Sequence, residues 1–318
     1  MSDRRSIVEE ILAIQRRRKT DSPQTELLLR LLHVEVAFEN RDRKNKELLR
    51  YFPIALVACI ESFFRMAIKR LIDSGDPYLS NAQGLLARTN VTFEILKAFH
   101  GQSLKVGDVI GHSVHLSNLA LIENNMGQLM GINFLNQISS IHDRWAVEVH
   151  GKPKTPIIPD AASTFRYVTK TFELRHIFCH ETANGFDFNP DDIDNCFNHS
   201  VLFLKASDEL ISGALYPNAP LTQSDITAAS AEEYRTEKQR LDELVAKATG
   251  GYLTAKQAER FREAIKAWQT FCEGIAEVEG LAYEGGSIRP SIEYAAATRL
   301  TKERADDIAN LLKTLAKE

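Results

Sequence analysis

Side chains able to do phosphate chemistry are concentrated in one stretch of the chain, Ala162 to Gly185. Arg175, His176 and His180 fall close together there, and a carboxylate, Glu181, follows directly. A guanidinium clamps phosphate oxygens with paired hydrogen bonds, and an imidazole transfers protons near neutral pH. These residue types at this spacing therefore favour chemistry on a phosphodiester.

The apolar pattern of the same stretch predicts one long helix. Two apolar stripes recur at helical spacing, the first at Phe165, Val168, Phe172 and Cys179 and the second at Leu174, Ile177 and Phe178. Asn184 and Gly185 form a stop signal. The cluster should therefore occupy the last two turns, with His176 and His180 on one face and the long Arg175 side chain able to bend towards them.

The segment from Arg175 to His180 consists of an arginine, four residues of which the first is polar, and a histidine. It resembles the motif of the HEPN-domain ribonucleases, helical proteins that cut RNA without a metal ion. The stretch from Tyr51 to Gly75, with ACIESFFRMAIKRLID at its centre, resembles the early long helix of that superfamily. The resemblance covers roughly residues 25–213.

The resemblance implies a specific mechanism. The RNA 2′-hydroxyl attacks the adjacent phosphorus and leaves a 2′,3′-cyclic phosphate, with His180 as general base or acid. Arg175 would stabilise the transition-state charge, and His176 would orient the phosphate or Arg175. HEPN enzymes pair two motifs across a two-fold interface, so the resemblance implies a homodimer that binds RNA and needs no metal and no cofactor.

The resemblance also implies a biological class, a toxin of a toxin-antitoxin pair or a phage-defence or stress effector. Its partner would be an antitoxin or another regulatory protein. The alternative is a non-catalytic HEPN module that binds a partner protein or a nucleotide. An RNA cleavage assay in EDTA separates the two.

Five further residues could support the site. Glu61 and Arg65 stand four apart on the long helix, which predicts an intrahelical ion pair or a supporting role for the site. Glu181 follows His180 directly. Lys152 and Lys154 lie in GKPKTPIIP, which the prolines keep extended. The two lysines are candidates for RNA contact, with a solvated connector as the alternative.

Three other interpretations of the helix stay open. Metal binding would use His176, Cys179, His180 and Glu181, but HExxH and a second spaced pair of ligands are absent from the sequence. A cysteine hydrolase would need an exposed thiol, whereas the apolar stripe predicts that Cys179 is buried. In a purely structural role, Arg175 and His180 would be polar residues at a helix end whose hydrogen bonds are made to buried partners.

Composition places the chain among ordinary globular proteins. It has 318 residues, 44% hydrophobic and 26% charged, and a net charge of -4, so RNA binding would need a local basic surface. The N-terminal residues are charged, and the longest clear apolar run, Ile54 to Ile60, is too short for a membrane span. Four scattered cysteines suit a reducing compartment. We therefore expect a cytoplasmic protein with no membrane partner.

The predicted fold class is all-α, a HEPN-like helical bundle followed by a small helical domain. The expected divisions are an N-terminal helical extension at 1–24, the HEPN-like domain at 25–215, a linker at 216–230 and a C-terminal domain at 231–318. A last helix is expected to be capped near Thr301.

The C-terminal domain has a resemblance of its own. WQTF at 268–271, GGSI at 285–288 and the pattern Leu300, Thr301, Arg304 resemble the LprI-like family, a helical domain known among lysozyme inhibitors. The cysteine pair that this family usually keeps falls at about Ala276 and a residue within 295–297 of this chain. Without that pair, the resemblance implies a cytosolic binding or dimer-supporting module.

Overall fold

The computed structural model describes residues 6–17, 23–86, 92–101, 103–181 and 186–315. These residues form helices and no strand, apart from an isolated bridge between His142 and Pro156. The all-α prediction is therefore confirmed. The chain divides into two compact units, Met1–Pro217 and Asn218–Glu318.

The first unit contains eleven α-helices in its described part and one short π-helical turn, Trp145–Val149. The α-helices are α1 Ile7–Arg16, α2 Pro23–Glu39, α3 Lys46–Asp73, α4 Tyr78–Asn81, α5 Gln83–Leu86, α6 Phe93–His100, α7 Val106–Ser113, α8 Leu119–Met130, α9 Phe134–Ser140, α10 Ala161–His180 and α11 Pro190–Leu215.

The helix α3 is the centre of this unit, because it packs against α2, α7, α10 and α11. Its N-cap is Asn45, whose side chain accepts a hydrogen bond from the Leu48 amide. Phe64 is fully buried between Phe134 and Phe203. By length and composition α3 could also cross a membrane, a property shared by buried core helices, and 61% of its apolar window is buried.

The helix α1 is an integral part of the first unit. A capping box of Ser6 and Glu9 starts it, and Ile11 packs into a cluster with Ile95 of α6 and Val109 of α7. Because its apolar face is covered by the same unit, the predicted division of an N-terminal extension at residue 24 does not correspond to a structural boundary.

The second unit is a bundle of three long helices. They are α12 Gln223–Lys247, α13 Ala255–Leu281 and α14 Arg289–Leu315, with a π-helical turn at Ala248–Tyr252. The helix α12 begins inside the segment predicted as a linker, 216–230. The last helix begins at Arg289, well before the predicted cap at Thr301, which is buried in mid-helix. The predicted starts of both helices are therefore too late in the chain.

The alanines aligned with the family's cysteine pair lie together in the second unit. Ala276 of α13 and Ala296 and Ala297 of α14 form one buried cluster with Cys272. All four cysteines are free. Small side chains occupy the positions at which the resemblance expects a covalent bridge, so packing rather than a disulfide joins the two helices here.

Candidate functional site

The helix α10 is held in place by its inner face. Asp160 caps it by accepting a hydrogen bond from the Ser163 amide, and Val168, Phe172 and Leu174 are buried against the core. The helix ends at His180, where its last carbonyls are free of intrahelical partners. The predicted stop signal at 184–185 lies outside the described residues.

The structure brings four predicted site residues together at this helix end. Arg175 Nη1 lies 3.4 Å from His180 Nε2, a long contact in which the guanidinium donates when that nitrogen is unprotonated. The His176 and His180 rings have centroids 5.2 Å apart. His176 Nε2 is 4.0 Å from Glu181 Oε1. The cluster therefore contains a guanidinium, two imidazoles and a carboxylate, each within contact range of at least one other.

The cluster is open to solvent. Arg175 is half-buried, while His176, His180 and Glu181 are exposed. Cys179 is exposed as well, so the prediction that it is buried is wrong. The apolar stripe continues to the end of α10 in sequence, but the last turn extends beyond the residues that cover Val168 and Phe172. A polymer such as RNA could reach these side chains without any opening of the fold.

A further guanidinium, from Arg50, packs on Phe178 in the last turns of α10. The Arg50 Cζ atom is 5.6 Å from the centre of the Phe178 ring, and Phe178 is one turn from Arg175 on α10. Arg50 Nη1 is 3.3 Å from Glu47, and its buried Nε has no hydrogen-bond partner among the described residues. The sequence pattern gave no signal for Arg50, because only the antiparallel packing of α3 and α10 brings it here.

One neighbouring ion pair limits the positive charge at this end of the unit. Lys46 at the start of α3 pairs with Asp187, and this hydrogen bond holds the pKa of the Asp187 carboxyl below its usual value. Lys46 is thereby neutralised locally. Arg175, by contrast, pairs with no carboxylate among the residues that the structure describes.

Glu61 and Arg65 are not part of the cluster. Arg65 is fifteen residues beyond Arg50 on α3, about 22 Å along the helix. Its Nη1 donates to the carbonyls of Gly111 and His112, at 3.1 and 2.7 Å. The predicted ion pair with Glu61 is therefore wrong, because Arg65 instead caps the end of α7.

Lys152 and Lys154 are also distant from the cluster. They are exposed and lie before the first residue of α10, whereas the cluster is at the other end of a helix about 30 Å long. Lys154 is near Glu148, whose pKa is lowered mainly by its hydrogen bond from Arg144 and slightly by Lys154. The lysines can contact only a more distant part of an RNA bound at α10.

The metal-binding interpretation gains no support from the geometry, whereas the exposed Cys179 meets the requirement that the sequence pattern had denied to a cysteine hydrolase. Among the described residues, no group of three or more His, Cys, Asp or Glu side chains could hold a metal ion. Burial raises the pKa of the Cys59, Cys196 and Cys272 thiols, to about 11 for Cys196. These three thiols therefore stay protonated at neutral pH, as core residues.

Comparison with known proteins bears on the second unit. The family model described as lysozyme inhibitor LprI matches residues 217–308, so the match begins earlier than the predicted 231 and includes all of α12. No curated protein and no solved structure matches the chain significantly. The LprI-like character of the C-terminal part is confirmed, and the HEPN resemblance of the first unit stays a prediction.

Proposed function

We propose that the first unit is a metal-independent endoribonuclease of the HEPN type, acting in the cytoplasm as a toxin or phage-defence effector. The proposal depends on one observation, the contact between Arg175 Nη1 and His180 Nε2 at a solvent-exposed helix end. This places a phosphate-binding group and a proton-transfer group within reach of one phosphodiester. An RNA strand can approach this surface directly.

The long Arg175–His180 contact suits an exchange of partners. In the free protein the guanidinium donates to the imidazole nitrogen when that nitrogen carries no proton. When RNA binds, the guanidinium turns to the phosphate oxygens, for which its paired donors are better matched. His180 Nε2 is then free to accept the proton of the 2′-hydroxyl. The exchange thus couples phosphate binding to activation of the base.

The reaction requires a second proton-transfer group. The 2′-oxygen forms a bond to phosphorus, the bond from phosphorus to the 5′-oxygen breaks, and the leaving oxygen takes up a proton. The attacking and leaving oxygens lie on opposite sides of phosphorus, so one imidazole cannot readily serve both. A homodimer supplies the second His180, and His176 positions the phosphate or Arg175.

We expect the purified full-length chain to cleave single-stranded RNA in the presence of EDTA. The products should carry 2′,3′-cyclic phosphate and 5′-hydroxyl ends, because the chain supplies the groups that the reaction uses. End-specific labelling of the products checks this. Cleavage that stops in EDTA would contradict the metal-independent mechanism, and binding of RNA, a nucleotide or an antitoxin-type protein without cleavage would support the non-catalytic module.

The second unit has a separate candidate function, binding of a lysozyme-type enzyme. The family match at 217–308 supports it, and so does an apolar surface on α13. Phe271, Val278 and Leu281 are 56%, 63% and 48% exposed, at spacings of seven and three that place them on one side of the helix. Such a surface suits the apolar centre of a protein interface.

We expect the full-length chain to inhibit muramidase activity of a purified lysozyme, and Val278→Glu to weaken the inhibition at least tenfold. A buried glutamate would leave a charge unpaired in the interface. Leu311→Glu, at an exposed leucine of α14, is the matched control and should inhibit like the unsubstituted chain. Equal loss in both variants, or no inhibition at any concentration, would contradict this function.

A further inference from the structure

A cavity of about 540 Å³ lies between four helices of the first unit, α1, α2, α3 and α7. Its volume is within the usual range of small-molecule sites, about 300–1,000 Å³. No lining residue belongs to α10 or α11, so the cavity is separate from the candidate nuclease site. Apolar side chains form much of its wall, among them Ile11 and Ile14 of α1, Leu27 of α2 and Met66 of α3.

The floor of the cavity is a short exposed strip on the central helix α3. The structure describes every residue in the range 52–72, and of these only Ala58 and Ser62 are exposed. Both line the cavity, and because they stand four residues apart they share one face of the helix. Their side chains are small, so they leave open space beside a helix that is otherwise covered.

The guanidinium of Arg65 lines the cavity with part of its hydrogen-bonding capacity unused. Its Nη1 donates to the carbonyls of Gly111 and His112, which fixes the orientation of the group. A guanidinium has five N–H donors, and those on Nε and Nη2 have no partner among the described residues. Neither nitrogen is among the buried atoms that lack a partner. Arg65 therefore has donors that a ligand in the cavity can reach.

A second guanidinium, from Arg30 of α2, lines the same cavity. Its Nη2 donates to the Tyr51 hydroxyl at 2.9 Å. Arg30 and Arg65 each stand four residues after a glutamate, Glu26 and Glu61, which is the favoured spacing for an ion pair within a helix. Neither pair forms, and neither arginine contacts another carboxylate among the described residues. Two guanidinium groups thus line the cavity without a carboxylate partner.

The other charged side chains around the cavity make contacts of their own. Lys69 Nζ is 2.7 Å from Asp73 and 2.9 Å from Asp108. His112 Nε2 is 3.1 Å from Glu10, a contact that joins α7 to α1. The groups left to attract an anion are therefore the two guanidiniums, of which Arg65 is the less exposed.

We propose that this cavity binds a small molecule with an apolar body and one carboxylate group. The carboxylate accepts hydrogen bonds from the unused donors of Arg65, because a guanidinium matches the two oxygens of a carboxylate. The apolar body lies over Ala58 and Ser62 and against Leu27 and Met66, and its removal from water favours binding. This inference goes beyond the proposed nuclease and does not depend on it.

The charges of the cavity favour a carboxylate over a phosphate. Glu26 and Asp108 also line the cavity, and like charges brought close together disfavour binding. A phosphomonoester carries close to two negative charges at neutral pH, so it is repelled more strongly than a carboxylate. The ammonium of Lys69, which could offset that repulsion, already contacts two carboxylates.

The first test titrates decanoate into the full-length chain by isothermal titration calorimetry. Decanoate should bind saturably at one site. Decanol, which has the same apolar chain and no charge, should bind about tenfold more weakly or less, because it lacks the charged hydrogen bonds to Arg65. Decyl phosphate should bind no more tightly than decanoate. The proposal fails if decanoate does not saturate, if decanol binds equally well, or if decyl phosphate binds more tightly.

The second test locates the site with three substitutions. Ala58→Phe fills the floor of the cavity and should weaken decanoate binding about tenfold or more. Ala162→Phe, at an exposed alanine in the first turn of α10, is the matched control and should bind like the unsubstituted chain. Arg65→Gln should bind decanoate and decanol with similar affinity, since the charged anchor is gone.

Circular dichroism of each variant checks that the fold is retained, because Arg65→Gln also removes hydrogen bonds to α7. Should Arg65→Gln fail to fold, the comparison of the two phenylalanine variants still decides the location. Equal decanoate affinity in the Ala58→Phe and Ala162→Phe chains would place the ligand elsewhere and overturn the proposal. A folded Arg65→Gln chain that still prefers decanoate to decanol as strongly as the unsubstituted chain would overturn the role of Arg65.

Discussion

Replacing His180 with alanine is expected to lower the rate of RNA cleavage by about 10²–10⁴-fold, the usual contribution of a general acid or base. Arg175→Ala should cost about 10²–10³-fold, because it removes the charge that stabilises the transition state. His180 is exposed and Arg175 half-buried, so the fold should be little affected. Single-turnover cleavage of a labelled RNA, with thermal unfolding of each variant, measures both effects.

Two variants make this prediction specific. Cys179→Ser changes an exposed residue in the same helical turn and should cleave RNA at the unsubstituted rate. Arg175→Lys keeps the positive charge but loses the paired donors. Its cleavage rate should therefore lie between those of the Arg175→Ala chain and the unsubstituted chain. A His180→Ala chain that cleaves as fast as the Cys179→Ser chain would show that His180 is not the base.

The long core helices could be predicted closely from sequence. The stretch Tyr51 to Gly75, which resembles one long helix in sequence, lies within α3 except for its last two residues, and the predicted cluster does fall in the last two turns of α10. Strong apolar periodicity and polar caps fix both helices locally. The spacing of four between His176 and His180 was sufficient to place their rings side by side.

Contacts between helices could not be predicted in this way. Arg65 was expected to pair with Glu61 on its own helix, yet it donates to carbonyls of α7, more than forty positions later in the chain. Arg50 reaches Phe178 only through the packing of α3 against α10. The pattern of a single sequence indicates which side chains lie one turn apart on the same helix. It does not indicate which distant helix supplies the hydrogen-bond acceptor for a side chain such as Arg65.

The same limit applies to the close approach of α7 to α3. Gly107 and Gly111 stand four apart on α7 and face the backbone of α3. A β-carbon at Gly107 would lie 2.6 Å from the Lys69 carbonyl oxygen, and one at Gly111 would lie 2.9 Å from the Arg65 carbonyl oxygen. The two glycines therefore permit the approach that lets Arg65 reach the end of α7.

Gly107→Ala is accordingly expected to destabilise the first unit. Alanine favours a helix over glycine by up to about 1 kcal/mol, but overpacking against a backbone that cannot rotate away costs about 1–3 kcal/mol. The Gly107 amide also donates to Asp73 at 3.2 Å, a hydrogen bond that a displaced α7 would lose. We therefore expect a net loss of about 1–2 kcal/mol in the free energy of unfolding.

The matched control is Gly213→Ala in α11, where no atom lies within 4 Å of the added β-carbon and a small stabilisation is expected. Trp145 and Trp268 are the two tryptophans, one in each unit. In a Trp268→Phe background, denaturant unfolding followed by fluorescence therefore reports on the first unit. If Gly107→Ala raises the denaturant midpoint as Gly213→Ala does, α7 and α3 are not in contact at Gly107. Only a steric contact can reverse the stabilisation that alanine gives to a helix relative to glycine.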